Sequence, residues 1–136
     1  MEPMRRLRQW PVLLLVLFAL GCGTDATERA LVRGTVRYRG QRLTSGSVVF
    51  VPNLDRGTPN EMAIGEIKPD GSYQLSGSVN STGLAPGWYR VTIASGSTPR
   101  SASGLTLPDK YRDPSRSGLE REVQLGRENV IDFDLQ

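Results

Sequence analysis

Beyond residue 30 the apolar residues of this chain alternate with polar ones, and turn-forming residues interrupt the alternation at short intervals. Val32, Val36 and Tyr38 share one face of a run whose other face is Arg33, Thr35 and Arg37, which marks a half-buried strand. Arg39-Gly40-Gln41 then turns the chain. Residues 47–51 are apolar on both faces, which predicts a central strand stopped by Pro52. After a loop over 53–60, residues 62–68 read as a third strand, and Gly65 within it signals a bulge or a close approach by another element. Pro69-Asp70-Gly71 is a strong turn signal: proline presets φ, aspartate bonds its own backbone, and glycine accepts the left-handed conformation. It predicts a hairpin between 62–68 and 72–76. A loop rich in Ser, Gly and Asn leads to a strand over 88–93, with Tyr89, Val91 and Ile93 inward.

Two closing strands follow a long connection over 95–118. In the first, Leu119, Val123 and Leu125 alternate with Glu120, Glu122 and Gln124; in the second, Ile131, Phe133 and Leu135 alternate with Asp132 and Asp134. Seven short strands, no helix-period stretch after Cys22 and no internal repeat predict an all-β sandwich or barrel.

The first 21 residues follow a different rule. Arg5, Arg6 and Arg8 precede an unbroken apolar run from Val12 to Leu20, and Gly21 and Cys22 follow directly. This is the layout of a secretory signal peptide over residues 1–21. The run is about half the length of roughly 20 apolar residues that a spanning helix needs. Phe18-Ala19-Leu20-Gly21-Cys22 resembles a bacterial lipobox, in which the cysteine becomes the first mature residue and carries acyl chains. The chain's one cysteine stands at the position this motif requires. The other reading is an ordinary signal peptide with an incidental cysteine. The lipobox resemblance implies membrane lipid as a partner of Cys22. Because Gly23 stands where an inner-membrane retention aspartate would, it also implies the outer membrane in a two-membrane cell. Residues 22–30 then form the acylated cysteine and a short polar tether, and 31–136 form the folded domain.

Composition narrows the chemistry. The chain has 136 residues with 15 Gly and 9 Pro, a share that suits turn-rich β structure. It has no histidine, which excludes Ser-His-Asp hydrolysis, Cys-His nucleophiles and ordinary zinc sites. Of the 17 basic and 14 acidic residues, three arginines and Glu2 lie in the signal segment, so the remaining chain carries a net charge of +1. Such a balance gives no electrostatic footprint for nucleic acid. No cofactor is expected.

Four short motifs carry a family resemblance. Val32-x-Gly34-x-Val36 with Gly40, then Gly46-Ser-Val48-x-Phe50-x-Pro52, Asp70-Gly-Ser-Tyr73-x-Leu75, and Leu84-Ala-Pro86-Gly87-Trp88-Tyr89-Arg-Val91 together resemble the carboxypeptidase regulatory-like domains. The resemblance covers nearly the whole chain after residue 31. It implies a transthyretin-like, seven-stranded Greek-key β-sandwich, closest to small bacterial lipoproteins containing only this module. It also implies that the domain is non-catalytic, with a structural or protein-interaction role in the cell envelope.

Three candidate sites follow. Closing the last two strands as a hairpin sets Glu122 opposite Asp134 and Gln124 opposite Asp132, with Glu120 on the same face. Like charges so placed need arginines (Arg33, Arg37 or Arg90) or a cation to offset them. A solvated, arginine-balanced face is favoured over calcium, which wants six to eight oxygens. The 95–118 connection offers Arg100, Lys110, Tyr111, Arg112 and Arg116. They form either a recognition loop for an envelope protein or acidic glycan, or a cover over a sheet edge anchored by Tyr111. Trp88 faces away from the core by parity, and with Tyr111 it forms the one plausible platform for a carbohydrate-binding alternative.

Overall fold

A computed structural model describes residues 28–77, 82–96 and 105–136. The signal segment, Cys22 and Arg100 lie outside the described residues, as do residues 78–81 of the Ser/Gly/Asn loop. The described residues fold as two β-sheets of five strand segments each, with two short 3-10 turns and no α-helix among them.

The first sheet is built around β1 (Val32–Tyr38), in which Val32, Gly34, Val36 and Tyr38 are buried and the arginines between them are exposed. On one side β1 pairs antiparallel with β2 (Gln41–Arg42) and β5 (Ser72–Gln74). On its other side lie β9 (Asn129–Val130) and β10 (Phe133–Leu135), both parallel to it and in one continuous register.

The second sheet has the order β6 (Ser76–Gly77), β4 (Ala63–Glu66), β3 (Gly46–Pro52), β7 (Gly87–Ser95), β8 (Glu120–Val123), with every pair antiparallel. β3 is central, as its apolar faces predict, and Pro52 is its last residue.

Between the sheets runs a chain of aromatic rings. Tyr89 and Phe50 of the second sheet lie 6.0 Å apart, Phe50 and Phe133 6.3 Å, and Phe133 and Tyr73 of the first sheet 6.1 Å. Val36, Val48, Val91, Ile93 and Val123 fill the space around them. Each fully buried side chain of this kind contributes roughly 1.5–3 kcal/mol relative to exposure, so this seam is the main stabiliser of the sandwich.

Two expectations change in the structure. The Pro69-Asp70-Gly71 turn forms: the Lys68 amide donates to Ser72 O (2.8 Å), and Asp70 accepts from the Ser72 hydroxyl (2.6 Å) and amide (2.9 Å). Those two bonds, the hydroxyl first, hold the Asp70 carboxyl below its ordinary range. The two arms also pair again as β4 and β6, in the register the turn sets. Between these points the second arm leaves its hairpin partner, and β5 joins β1 in the other sheet. Gly65 sits at the divergence, where a Cβ would come within 2.9 Å of Gln74 O, so only glycine lets the arms separate this closely.

The second correction concerns the last two strands, which do not form a hairpin ladder. β8 stays in the second sheet, and the chain crosses at 124–128 to run parallel with β1 in the first. The buried Asn129 side chain takes the place of a strand partner: its Oδ1 accepts from the Gln124 amide (3.0 Å), and its Nδ2 donates to Gln124 O (2.9 Å) and Arg127 O (3.2 Å).

Candidate functional site

Tyr111 decides what the 105–118 segment does. It lies in a short 3-10 turn, Asp109–Arg112, and its ring is buried in the core cluster beside Leu107. Its hydroxyl donates to Gln136 O (3.0 Å) and accepts from the Gln136 amide (3.2 Å), just after the last residue of β10. The turn also packs on β7. Tyr111 therefore ties the β7 side of the second sheet to the last strand of the first. Of the two readings of this segment, the edge cover matches its geometry.

Burial removes Tyr111 as a ligand-facing ring, but the basic residues around it remain outward. The Lys110 ammonium stands 4.8 Å from the Tyr111 ring centroid. Arg112 approaches Asp109 at 3.9 Å, an exposed pair of little energetic consequence. Arg116 is exposed and forms no ion pair among the described residues. A fixed segment thus presents three cations to solvent.

Trp88 is partly buried on the outer face of the second sheet, opposite Glu122. The Arg56 guanidinium lies 4.3 Å from its ring centroid, a stacked cation that covers one face of the indole. Arg56 also approaches Glu120 at 3.5 Å, and Asn53 donates to the same carboxylate oxygen at 2.8 Å. The Thr58 hydroxyl accepts from the Trp88 amide and donates to the Trp88 carbonyl, both at 2.9 Å. Trp88 is held by the 53–58 loop, and Tyr111, in the core, cannot form a platform with it. Residues 53–58 read from sequence only as a loop. Nothing in their spacing shows that Arg56 and Thr58 close over a tryptophan thirty residues later.

The four carboxylates are dispersed. Glu120 stands opposite Arg90, and Asp134 opposite Arg37. Glu122 accepts from Gln124 Nε2 (2.9 Å). Asp132 accepts from the Thr35 amide (2.8 Å) and hydroxyl (3.0 Å), filling the gap between β9 and β10 where the backbone ladder is interrupted. The expected opposition of Glu122 and Asp134 does not form, while arginines stand in register opposite Glu120 and Asp134, in line with an arginine-balanced face. Among the described residues no three acidic or cysteine side chains are placed to hold a metal ion, so the calcium alternative has no ligand set there.

A concave surface of about 550 Å³ lies elsewhere, on the outer side of the first sheet. Leu31, Arg33, Gln74, Arg127 and Glu128 line it, and Arg33 pairs with Glu128. Strand parity already places Leu31 and Arg33 outward. Their neighbours come from the parallel pairing with β9, which alternation does not reveal. Compared with known proteins, the chain matches no family model, no curated protein and no solved structure.

Proposed function

We propose that this chain is a lipid-anchored, non-catalytic β-sandwich of the cell envelope, of the carboxypeptidase regulatory-like kind, with a structural or protein-interaction role. The Greek-key connection and the transthyretin-like strand order belong to the same proposal. The observation that carries it is the Tyr111 anchor, which fixes the 105–118 segment against both sheets and leaves Lys110, Arg112 and Arg116 facing outward. A basic surface on a held backbone suits recognition of an acidic protein face, because little loop freedom is lost on binding.

The motifs behind the family resemblance support the reading by where they fall. Gly34 meets the Ile131 carbonyl between the last two strands, Asp70 closes the turn to β5, and Gly87 opens β7 against Thr58. Three of the four carboxylates are held by hydrogen bonds, Asp132 by Thr35, Glu120 by Asn53 and Glu122 by Gln124, which suits a structural role. Cys22 supplies the anchor, with acyl chains each adding about 0.8 kcal/mol per buried methylene.

The test is Cys22→Ser in the full chain. The substituted protein is expected in the aqueous phase of a detergent partition with an unchanged β-type circular dichroism spectrum, while the parent enters the detergent phase. Equal partitioning of the two contradicts the anchor. A photo-crosslinker at Lys110 or Arg116, used in living cells, should capture an envelope protein that the same probe at Glu66 does not.

A further inference from the structure

Six large apolar side chains stand exposed among the described residues: Leu31, Leu54, Met62, Ile64, Leu125 and Val130. Single exposed hydrophobics are ordinary on protein surfaces, so what matters here is their distribution. β1 starts just after Leu31, and β3 ends two residues before Leu54. β4 starts between Met62 and Ile64, β8 ends two residues before Leu125, and β9 starts one residue before Val130. β1 and β9 are parallel, while β3 runs antiparallel to β4, and β7 to both β3 and β8. These strand ends therefore lie at one end of the sandwich, joined across the two sheets by the Asn129 bonds to Gln124 and Leu31. The opposite end, with the turns at 39–40 and 69–71, has no exposed large hydrophobic among the described residues and carries Arg37, Arg39, Arg42 and Lys68.

The apolar end is also where the chain enters the domain. Ala30 is buried and bridges to Leu84, and Glu28 is the first described residue. Cys22 lies six residues before Glu28, a span of at most about 20 Å. The nine residues of β7 alone extend about 30 Å. A domain held by lipid at Cys22 therefore cannot stand on the bilayer by its basic end, and its apolar end stays within reach.

We infer that the end carrying Leu31, Leu54 and Leu125 docks on the phospholipid surface. The inference rests on the proposed acylation of Cys22 and adds an orientation to it. Arg127 stands beside this end with its guanidinium bonded to Gln124 Oε1 (3.0 Å) and with no carboxylate partner among the described residues, as suits a lipid phosphate. Docking turns Arg37, Arg39, Arg42 and Lys68 away from the membrane.

The experiment uses the full exported chain reconstituted in vesicles of zwitterionic and anionic phospholipid with brominated acyl chains. Tryptophan is introduced as Leu54→Trp, Leu125→Trp or, at the basic end, Gln41→Trp, and the emission of the parent is subtracted. Quenching about threefold stronger at positions 54 and 125 than at 41 is the expected result. Equal quenching, or stronger quenching at 41, overturns the docking. Intact mass of the same preparation reads acylation separately, so the anchor can stand while the docking falls. If the mass shows no acyl group, the anchor reading fails and sedimentation of the chain with the same vesicles decides the docking. Loss of at least half the bound fraction in Leu54→Ser/Leu125→Ser supports it, and an unchanged or absent bound fraction overturns it.

Discussion

The Tyr73 hydroxyl donates a 2.6 Å hydrogen bond to the carbonyl of Ile131. That carbonyl lies between β9 and β10, where the parallel ladder with β1 is interrupted, and it presses against Gly34. A Cβ on Gly34 would stand 1.9 Å from the Ile131 oxygen. Glycine, carbonyl and phenol thus form one unit that lets the last strand pass close to the first while the turned carbonyl stays satisfied.

Gly34→Ala is therefore expected to destabilise the domain by at least about 3 kcal/mol, because a backbone atom rather than a flexible side chain must move. Urea unfolding followed by circular dichroism measures it. A loss under about 1 kcal/mol would show that the last strand can withdraw easily.

Tyr111→Phe removes two hydrogen bonds to Gln136 while keeping the ring in the core. The expected cost is about 1–2 kcal/mol, with hydrogen exchange rising at the end of β10 before it rises in β3. Uniform acceleration across both sheets would contradict a local latch.

Asn129→Ala leaves the Gln124 amide and carbonyl without their partner at the crossing between sheets. A loss of about 2–3 kcal/mol is expected, and Asn129→Asp should recover only part of it, since a carboxylate accepts from the amide but cannot donate to the carbonyls. Full recovery of the parent's stability in Asn129→Asp would count against the donor half of this role, and no recovery beyond Asn129→Ala against the acceptor half.

Burial pushes the Tyr89 phenol up to about 12, with Glu61 adding to the shift, and raises Tyr73 as well, with Asp132 adding to it. Both folded values lie above the ordinary value near 10, so their contribution to stability is intact below pH 10. It is lost as pH rises from 10 through about 12 for Tyr89, and beyond that for Tyr73. Urea midpoints across this range should fall, and the fall should be shallower in Tyr89→Phe. A flat profile in the parent would contradict the burial of these phenols in an ionisation-resistant core.

Local alternation reveals the inward positions of β1 and β7, and the run apolar on both faces reveals β3 as a central strand, because these signals lie within each strand itself. It also reveals the Pro69-Asp70-Gly71 turn, whose chemistry lies within four residues. Alternation does not carry the partner of a strand. The closing residues 119–135 alternate as a hairpin would, yet β9 and β10 run parallel to β1, and the signal for that is a single buried asparagine, Asn129, and one distant glycine, Gly34. The candidate site divides the same way. Tyr111 is visible as an anchor or a contact but not as the link to Gln136, and Arg56 and Thr58 meet Trp88 only through the fold.

The most direct measurement is the mass of the N-terminal tryptic peptide from protein purified out of the envelope. A peptide spanning residues 22–29, with a diacylglyceryl group on the Cys22 sulfur, is the expected product. An unmodified Cys22 within a peptide that still contains Leu20 and Gly21 would contradict the lipid anchor and the orientation built on it.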